Sequence, residues 1–187
     1  MINSAITNTN PIINGLNLRR DSKPPEPPTD TVEERELPNS EALVTIFQMD
    51  IPGGRMTDIT VRRADSFSMR DPVMLVNGVD VCGTPFTREV RINDIDPRNA
   101  TFIEMLALDG YLVANGKPSG IARLAASAMA SQYANPHSGL NGSDTQYNFL
   151  SIIDNHLSSI RANGSLNAYF ALRPILDSLT GFAARNN

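Results

Sequence analysis

Five prolines within residues 21–40 limit what that part of the chain can form; they are Pro24, Pro25, Pro27, Pro28 and Pro38. Proline has no backbone N–H and a fixed φ, so it is excluded from helix interiors and central strands. The preceding stretch, MINSAITNTNPIINGLNL, keeps no sustained helical or strand period. We therefore predict an extended or disordered arm over residues 1–40 and one folded domain over residues 41–187.

Residues 41–95 carry the signals of four or five antiparallel strands. A β-rich run closes at the glycine-rich turn Ile51–Gly54, and Asn77-Gly78 predicts a tight hairpin turn between Val73–Val76 and Val79–Cys82. The charged run Thr87–Ile92 is typical of an edge strand. Cys82 then falls within a strand, where a small buried hydrophobic residue is the usual role.

Residues 97–184 show the apolar spacing of about four helices, so the predicted fold class is α+β, with a β part over residues 41–95 and a helical part over residues 97–187. Three segments end alike, at Asn115-Gly116, Asn135-Pro136 and Asn163-Gly164, which are helix stop signals. The first helix is predicted to start at an Asp96 cap with Pro97 in its first turn and to break at Asp109-Gly110. The second is predicted to start at Ser119, and the third at a capping box of Ser143 and Gln146. The fourth is predicted to start at Ser165, with a kink or break at Pro174 near Arg173.

The charge content argues against nucleic acid as a partner. The net charge is -4 and the isoelectric point is near 5.1, whereas a nucleic-acid binder needs a basic footprint. Residues 96–187 hold only 6 of the 20 acids and 6 of the 16 bases. Their helix faces are therefore poor in charge, which fits either ordinary variation or surfaces covered by a partner.

The sequence offers little for catalysis, metal binding or a cofactor. The only histidines are His137 and His156, and Cys82 is the only thiol, so no zinc spacing or nucleophile–base pair stands out. No apolar run reaches the ~18 residues of a membrane span, and no signal peptide is evident at Met1. We expect no enzymatic activity, no cofactor, no metal and no membrane contact.

Short turn-forming segments of the β part resemble the U-box ubiquitin-ligase family. Met69-Arg70-Asp71-Pro72-Val73 with Gly78 resembles the family's first loop, Pro85-Phe86-Thr87-Arg88 its second loop, and Ile95-Asp96-Pro97 the approach to its last helix. The chain differs where Arg62–Asp65 replaces a Cys-Pro-Ile-Ser-like piece, and where the six residues Val79–Thr84 stand in place of a helix. The resemblance implies a surface for a ubiquitin-conjugating enzyme, formed by Met69, Asp71, Pro72, Pro85 and Arg88.

Two functions follow as expectations. The arm, the scarcity of catalytic residue types and the charge-poor helices favour a structural subunit that oligomerises into a large assembly, such as a virus or phage particle, located in the virion or the host cytoplasm. Its partners would be other protein subunits, contacted by the arm through its apolar residues and its stiff spacer: Ile12, Ile13, Leu16 and Leu18, then Pro24, Pro25, Pro27 and Pro28. The alternative is a secreted bacterial effector that uses the U-box-like surface.

Overall fold

The computed structural model describes residues 41–132 and 144–185, and within these ranges the fold is α+β, as predicted. A four-stranded antiparallel sheet in the order β1-β2-β3-β4 precedes four α-helices. The strands are β1 (Val44–Ile51), β2 (Gly54–Arg63), β3 (Val73–Val79) and β4 (Pro85–Arg91). A 3-10 turn over Ile92–Asp94 leads to α1 (Phe102–Ala114), α2 (Ile121–Gln132), α3 (Phe149–Ala162) and α4 (Leu166–Arg185).

One hairpin turn was predicted correctly and the other was not. β1 and β2 are joined at Pro52-Gly53, where Gly53 has a φ of 94°. Asn77-Gly78 instead lies inside β3, paired with Thr87 and Phe86 of β4. Gly78 is needed there for space rather than for a turn, because a Cβ would lie 3.2 Å from both the Phe86 ring and the Thr57 carbonyl oxygen.

The β3–β4 turn lies over residues 80–84 and is held by Asp80. The Asp80 carboxylate accepts hydrogen bonds of 2.8 Å from the N–H groups of Cys82 and Thr84, and Gly83 supplies a φ of 79°. An Asp side chain that bonds its own backbone two residues on is a strong turn former. Cys82 is therefore exposed in a turn, and its prediction as a buried strand residue was wrong.

The first helix begins later than predicted and does not break. Thr101, not Asp96, caps α1: its hydroxyl accepts from the Glu104 N–H at 3.2 Å, and the Glu104 carboxylate accepts from the Thr101 N–H at 2.6 Å. The helix runs through Asp109 and Gly110 without a break. Gly110 allows α1 to lie close to the sheet. A Cβ at Gly110 would lie 2.5 Å from Val61 of β2.

The later helices follow the predicted stops better than the predicted starts. α1 ends at Asn115-Gly116 and α3 at Asn163-Gly164, with left-handed glycines at φ 67° and 76°. α3 begins at Phe149, where the Asn148 side chain accepts from the Ser151 N–H at 3.0 Å, so Gln146 precedes the helix. Ser143 and Asn135-Pro136 lie outside the described residues.

α4 starts directly after Ser165, as predicted, and it continues through Pro174 without a break. Ser178 donates its hydroxyl to the Pro174 carbonyl oxygen at 2.9 Å, one turn further on. Since proline has no N–H, the carbonyl of Phe170 receives no main-chain bond from position 174.

The core lies between one face of the sheet and the helices. Ile59, Val61 and Met74 of the sheet are buried against α1 and α2. The rings of Phe102, Tyr147 and Phe149 meet edge to face, with centroids 5.1–5.9 Å apart. Isolated pairing of Ala100 with Tyr147 joins the approaches to α1 and α3. Among the described residues, no helix is both long and apolar enough to cross a bilayer.

Candidate interaction surface

Exposed large hydrophobic side chains are few in the described residues, and two of them are neighbours on one helix. Leu166 is 49% exposed and Phe170 is 67% exposed, four residues apart at the start of α4. Residues at i and i+4 lie on the same helix face. The other two, Phe47 at 77% and Met69 at 68%, lie on the edge strand β1 and in the loop before β3. The start of α4 is thus the one described place where large exposed apolar side chains adjoin.

The turn between α3 and α4 fixes where this face begins. Gly164 donates its N–H to the Arg161 carbonyl at 3.1 Å, and Ser165 donates to the Ile160 carbonyl at 3.1 Å. The Ser165 carbonyl then accepts from the Tyr169 N–H at 3.0 Å, which starts α4. After this turn, Leu166 and Phe170 in the first turns of α4 are exposed, whereas Ile175, Leu176 and Leu179 further along the helix are buried.

Two arginines flank the exposed pair. The Arg161 guanidinium lies over the Tyr169 ring, 5.7 Å from its centroid. Arg173 donates to the Tyr169 hydroxyl at 3.3 Å and to the Asp177 carboxylate at 2.8 Å. These hydrogen bonds, that to Asp177 first, raise the pKa of Arg173 and keep it charged. We call the set Leu166, Phe170, Arg161 and Arg173 the α4 surface.

The α4 surface is apolar and carries two arginines, of which Arg173 is paired with Asp177. From residue 155 to residue 176 the chain has no Asp or Glu, although its net charge is -4. Asp154 and Asp177 bound this stretch. Within the described part of the chain, Arg161 forms no ion pair, so its charge is available to a partner.

A groove between α3 and α4 adjoins the α4 surface at Arg173. It has a volume of about 410 Å³, and Leu150 and Leu176 supply its apolar lining while Asp154 and Arg173 supply charge. Peptides often bind by placing apolar anchor residues in shallow grooves between helices. The groove therefore extends the apolar character of the α4 surface along the helix pair.

The β1 edge of the sheet is a second exposed feature. Among the described strands, β1 pairs only with β2, so no described strand pairs with the N–H and C=O groups on its other side. Phe47 lies on this strand, opposite the position of Asp58, whose φ of 52° is left-handed.

The pairing of β2 with β3 shifts register between Thr57 and Thr60, which is the mark of a β-bulge.

The structure places the U-box-like residues at two separate ends of a hairpin. Met69, Asp71 and Pro72 precede β3, whereas Pro85 begins β4 opposite Val79, at the other end of β3. Seven strand residues separate the two ends by about 20 Å. Pro72 is buried, the residues between Gly78 and Pro85 form a turn, and Arg88 lies 3.9 Å from Asp144.

Asp71 lines an acidic cavity of about 560 Å³ at the first of these ends. Glu89, Asp94 and Glu104 also line it, together with Arg91. Glu104 is already engaged in the α1 capping box. In residues 41–132 and 144–185, no group of three His, Cys, Asp or Glu side chains is placed to hold a metal ion. The cavity carries negative charge without the geometry of a metal site.

The residues considered for chemistry are dispersed or outside the described ranges. Cys82 is exposed in the β3–β4 turn, His156 is half-buried on α3, and His137 lies outside the described residues. The arm residues Ile12, Ile13, Leu16, Leu18, Pro24, Pro25, Pro27 and Pro28 also lie outside them.

The strongest surface feature was missed at the level of sequence, although a signal for it exists. The apolar stripe of α4 that packs on the core includes Tyr169, Leu172, Ile175, Leu176 and Leu179. Phe170 and Leu166 fall beside that stripe. A large aromatic residue beside the buried stripe of an amphipathic helix is the sequence signal for an exposed apolar side chain.

No known family, curated protein or solved structure matches this chain. Any function must therefore be argued from the described surface and from the sequence.

Proposed function

We propose that this protein is a non-enzymatic subunit of a large assembly, of the kind found in virus or phage particles, and that its N-terminal arm contacts neighbouring subunits. The observation that carries the proposal is the exposed apolar and cationic α4 surface. Adjoining large apolar side chains on a surface, as at Leu166 and Phe170, favour contact with another protein.

Three further features support an assembly role. No described strand pairs with the outer edge of β1, which carries the exposed Phe47. The charge-poor half of the chain presents polar residues such as Asn155 and Ser158 on exposed helix faces. Extended segments that pair with or pack on a neighbour are a common way to join subunits, because the main chain and a few anchor side chains supply the binding.

The mass of the full-length protein in solution tests this proposal. Native mass spectrometry and light scattering should give a particle heavier than the 20.4 kDa of one chain. The double variant Leu166→Ser/Phe170→Ser should shift the particle towards the single chain with unchanged circular dichroism, since both side chains are already exposed. Met69→Ser is the matched control, because Met69 is also a large exposed apolar side chain, 68% exposed in the loop before β3.

Removal of residues 1–40 tests the role of the arm. The truncated chain should keep the far-ultraviolet spectrum and the cooperative melting of a folded domain but lose assembly. A full-length protein that stays at the mass of one chain at all concentrations contradicts the proposal. Normal assembly of a folded truncation contradicts the role of the arm.

A further inference from the structure

We propose that the α4 surface and the adjoining groove bind the N-terminal segment, residues 12–41, of a neighbouring copy of this chain. The inference rests on the proposed function, since it names the site that receives the arm. Its first support is the chemistry of the site, which combines exposed apolar side chains with the cations Arg161 and Arg173.

The segment has the complementary chemistry. Between Glu26 and Glu41 the chain has six acidic residues and one basic residue, which makes it the most acidic stretch of the sequence. Ahead of it stand the aliphatic residues Ile12, Ile13, Leu16 and Leu18. Charge complementarity selects partners and speeds their encounter, while apolar anchors in a groove supply affinity.

The size of the site favours a peptide segment over a second copy of the same surface. A stable interface between two folded domains buries about 800 Å² on each partner. Leu166 and Phe170, both only partly exposed, present on the order of 250 Å² together. Two α4 surfaces would also bring like charges together, Arg161 and Arg173 of one copy facing those of the other. A linear segment that lies across α4 and into the groove avoids both problems.

The length of chain before the folded domain allows the contact. The Leu43 N–H donates to the Val61 carbonyl at 2.8 Å, so the chain is fixed to the sheet just before β1. From Leu18 to that point, a fully extended chain reaches about 80 Å. A domain of this size has a radius of gyration of about 15 Å, so the aliphatic residues can reach the α4 surface of an adjacent copy.

Site-specific photo-crosslinking in the full chain tests the inference. Phe170 is replaced by benzoylphenylalanine, and chains labelled with ¹⁵N are mixed with unlabelled chains before illumination. We expect mixed-label crosslinks from position 170 to residues 12–41, which identifies contact between different copies. The same replacement at Met69, 68% exposed in the loop before β3, is the control for a similarly exposed position elsewhere.

Each other result has a distinct meaning. Crosslinks from 170 to 12–41 within one chain only, or crosslinks to α4 or another surface of a second copy, overturn the inference. If the particle is still heavier than one chain, the proposed assembly function survives that failure. A full-length protein that has the mass of one chain and gives no mixed-label crosslinks contradicts both the inference and the proposed assembly function.

Charge exchange gives an independent readout. Arg161→Glu/Arg173→Glu should weaken association roughly fivefold for each reversed charge, and Glu33→Arg/Glu34→Arg in the segment should do the same. Combining the two sets should restore association, whereas a merely structural effect would not be rescued. Arg98→Glu, an exposed arginine in the approach to α1, is the matched control. Failure of the combination to recover any association contradicts the inference.

Discussion

Asp109 is a buried polar side chain of the core, and it joins two helices. It belongs to α1, and its carboxylate accepts the Gly120 N–H at 2.9 and 3.2 Å, with further bonds from Ile121 and Ala122 at the start of α2. The negative charge therefore lies at the N-terminus of α2, where unpaired N–H groups favour it.

Asp109→Ala should destabilise the protein. The substitution leaves the first N–H groups of α2 buried without an acceptor, which costs about 1–3 kcal/mol. Urea unfolding followed by circular dichroism measures the loss. Asp109→Asn keeps one acceptor oxygen and should cost less; equal or greater stability of the alanine variant contradicts the capping role.

The same carboxylate makes stability depend on pH. Burial raises the pKa of Asp109, and the hydrogen bonds from Gly120, Ile121 and Ala122 only partly offset that rise. A folded-state pKa above the unfolded one means that the folded protein binds the proton more tightly. The contribution of Asp109 to the free energy of unfolding is therefore fully present below about pH 4 and is lost as pH rises through the folded pKa.

Comparing the wild type with Asp109→Asn isolates this effect. From about pH 4 upward, the wild type should lose stability relative to the variant until the folded pKa is passed. Urea unfolding at a series of pH values measures the difference. A wild type that gains on the variant over this range would show that the hydrogen bonds outweigh burial.

Gly110 sets the distance between α1 and the sheet. Its missing side chain lets the helix pack directly on Val61, with Met74 close by. Gly110→Ala should cost about 1–3 kcal/mol of unfolding free energy from overpacking, although alanine is the better helix former. Gly181→Ala in α4 is the control: nothing lies within 4 Å of its new Cβ, so it should be neutral or stabilising. A stabilising Gly110→Ala would contradict the close approach.

At the scale of elements, the sequence predicted the helix ends because those signals are local. Asn115-Gly116 and Asn163-Gly164 need only a left-handed glycine, which their own residues supply. The start of α1 was missed because Asp96-Pro97 is as good a cap by pattern as Thr101 with Glu104. The pairing of Ala100 with Tyr147, in which each donates its N–H to the carbonyl of the other, holds the residue before Thr101 outside the helix.

The position of the β3–β4 turn was predicted wrongly because contacts between strands, which the local sequence does not show, decide it. Asn77-Gly78 is a strong turn signal, but both residues pair within β3, where Gly78 lies close to Phe86 and Thr57, and Asp80 closes the turn further on. The α4 surface was not predicted from the sequence, for a different reason. Hydrophobic spacing identifies the stripe that is buried, and it does not report whether a residue such as Phe170 beside the stripe is covered.

Pro174 gives a prediction for α4 as an element. Proline removes the main-chain bond to the Phe170 carbonyl and costs about 3 kcal/mol in a helix interior. Pro174→Ala should therefore raise the free energy of unfolding by about 1–3 kcal/mol, since the position is exposed and nothing else need move. Chemical denaturation measures the gain, and slow hydrogen exchange at the new amide would confirm the restored bond. An unchanged stability would mean that α4 already relieves the proline by bending.

At the scale of the whole molecule, association should depend on salt. In the proposed contact, the acidic segment and the arginines of the α4 surface attract each other through water, and ions screen such charges beyond about 10 Å at 0.1 M. Raising sodium chloride from about 0.05 to 0.5 M should weaken the assembly, as measured by sedimentation velocity. Arg161→Ala/Arg173→Ala should flatten that dependence. Association that strengthens with salt would indicate a purely apolar contact.

The attachment of the arm beside an edge strand has a mechanical consequence. Any tension on residues 1–40 enters the domain at the Leu43–Val61 hydrogen bond, at the open end of the β1–β2 hairpin. A pull along β1 loads its bonds to β2 together, whereas a pull across the sheet opens them one after another. The direction in which a neighbour holds the arm would therefore set the force at which the subunit begins to unfold.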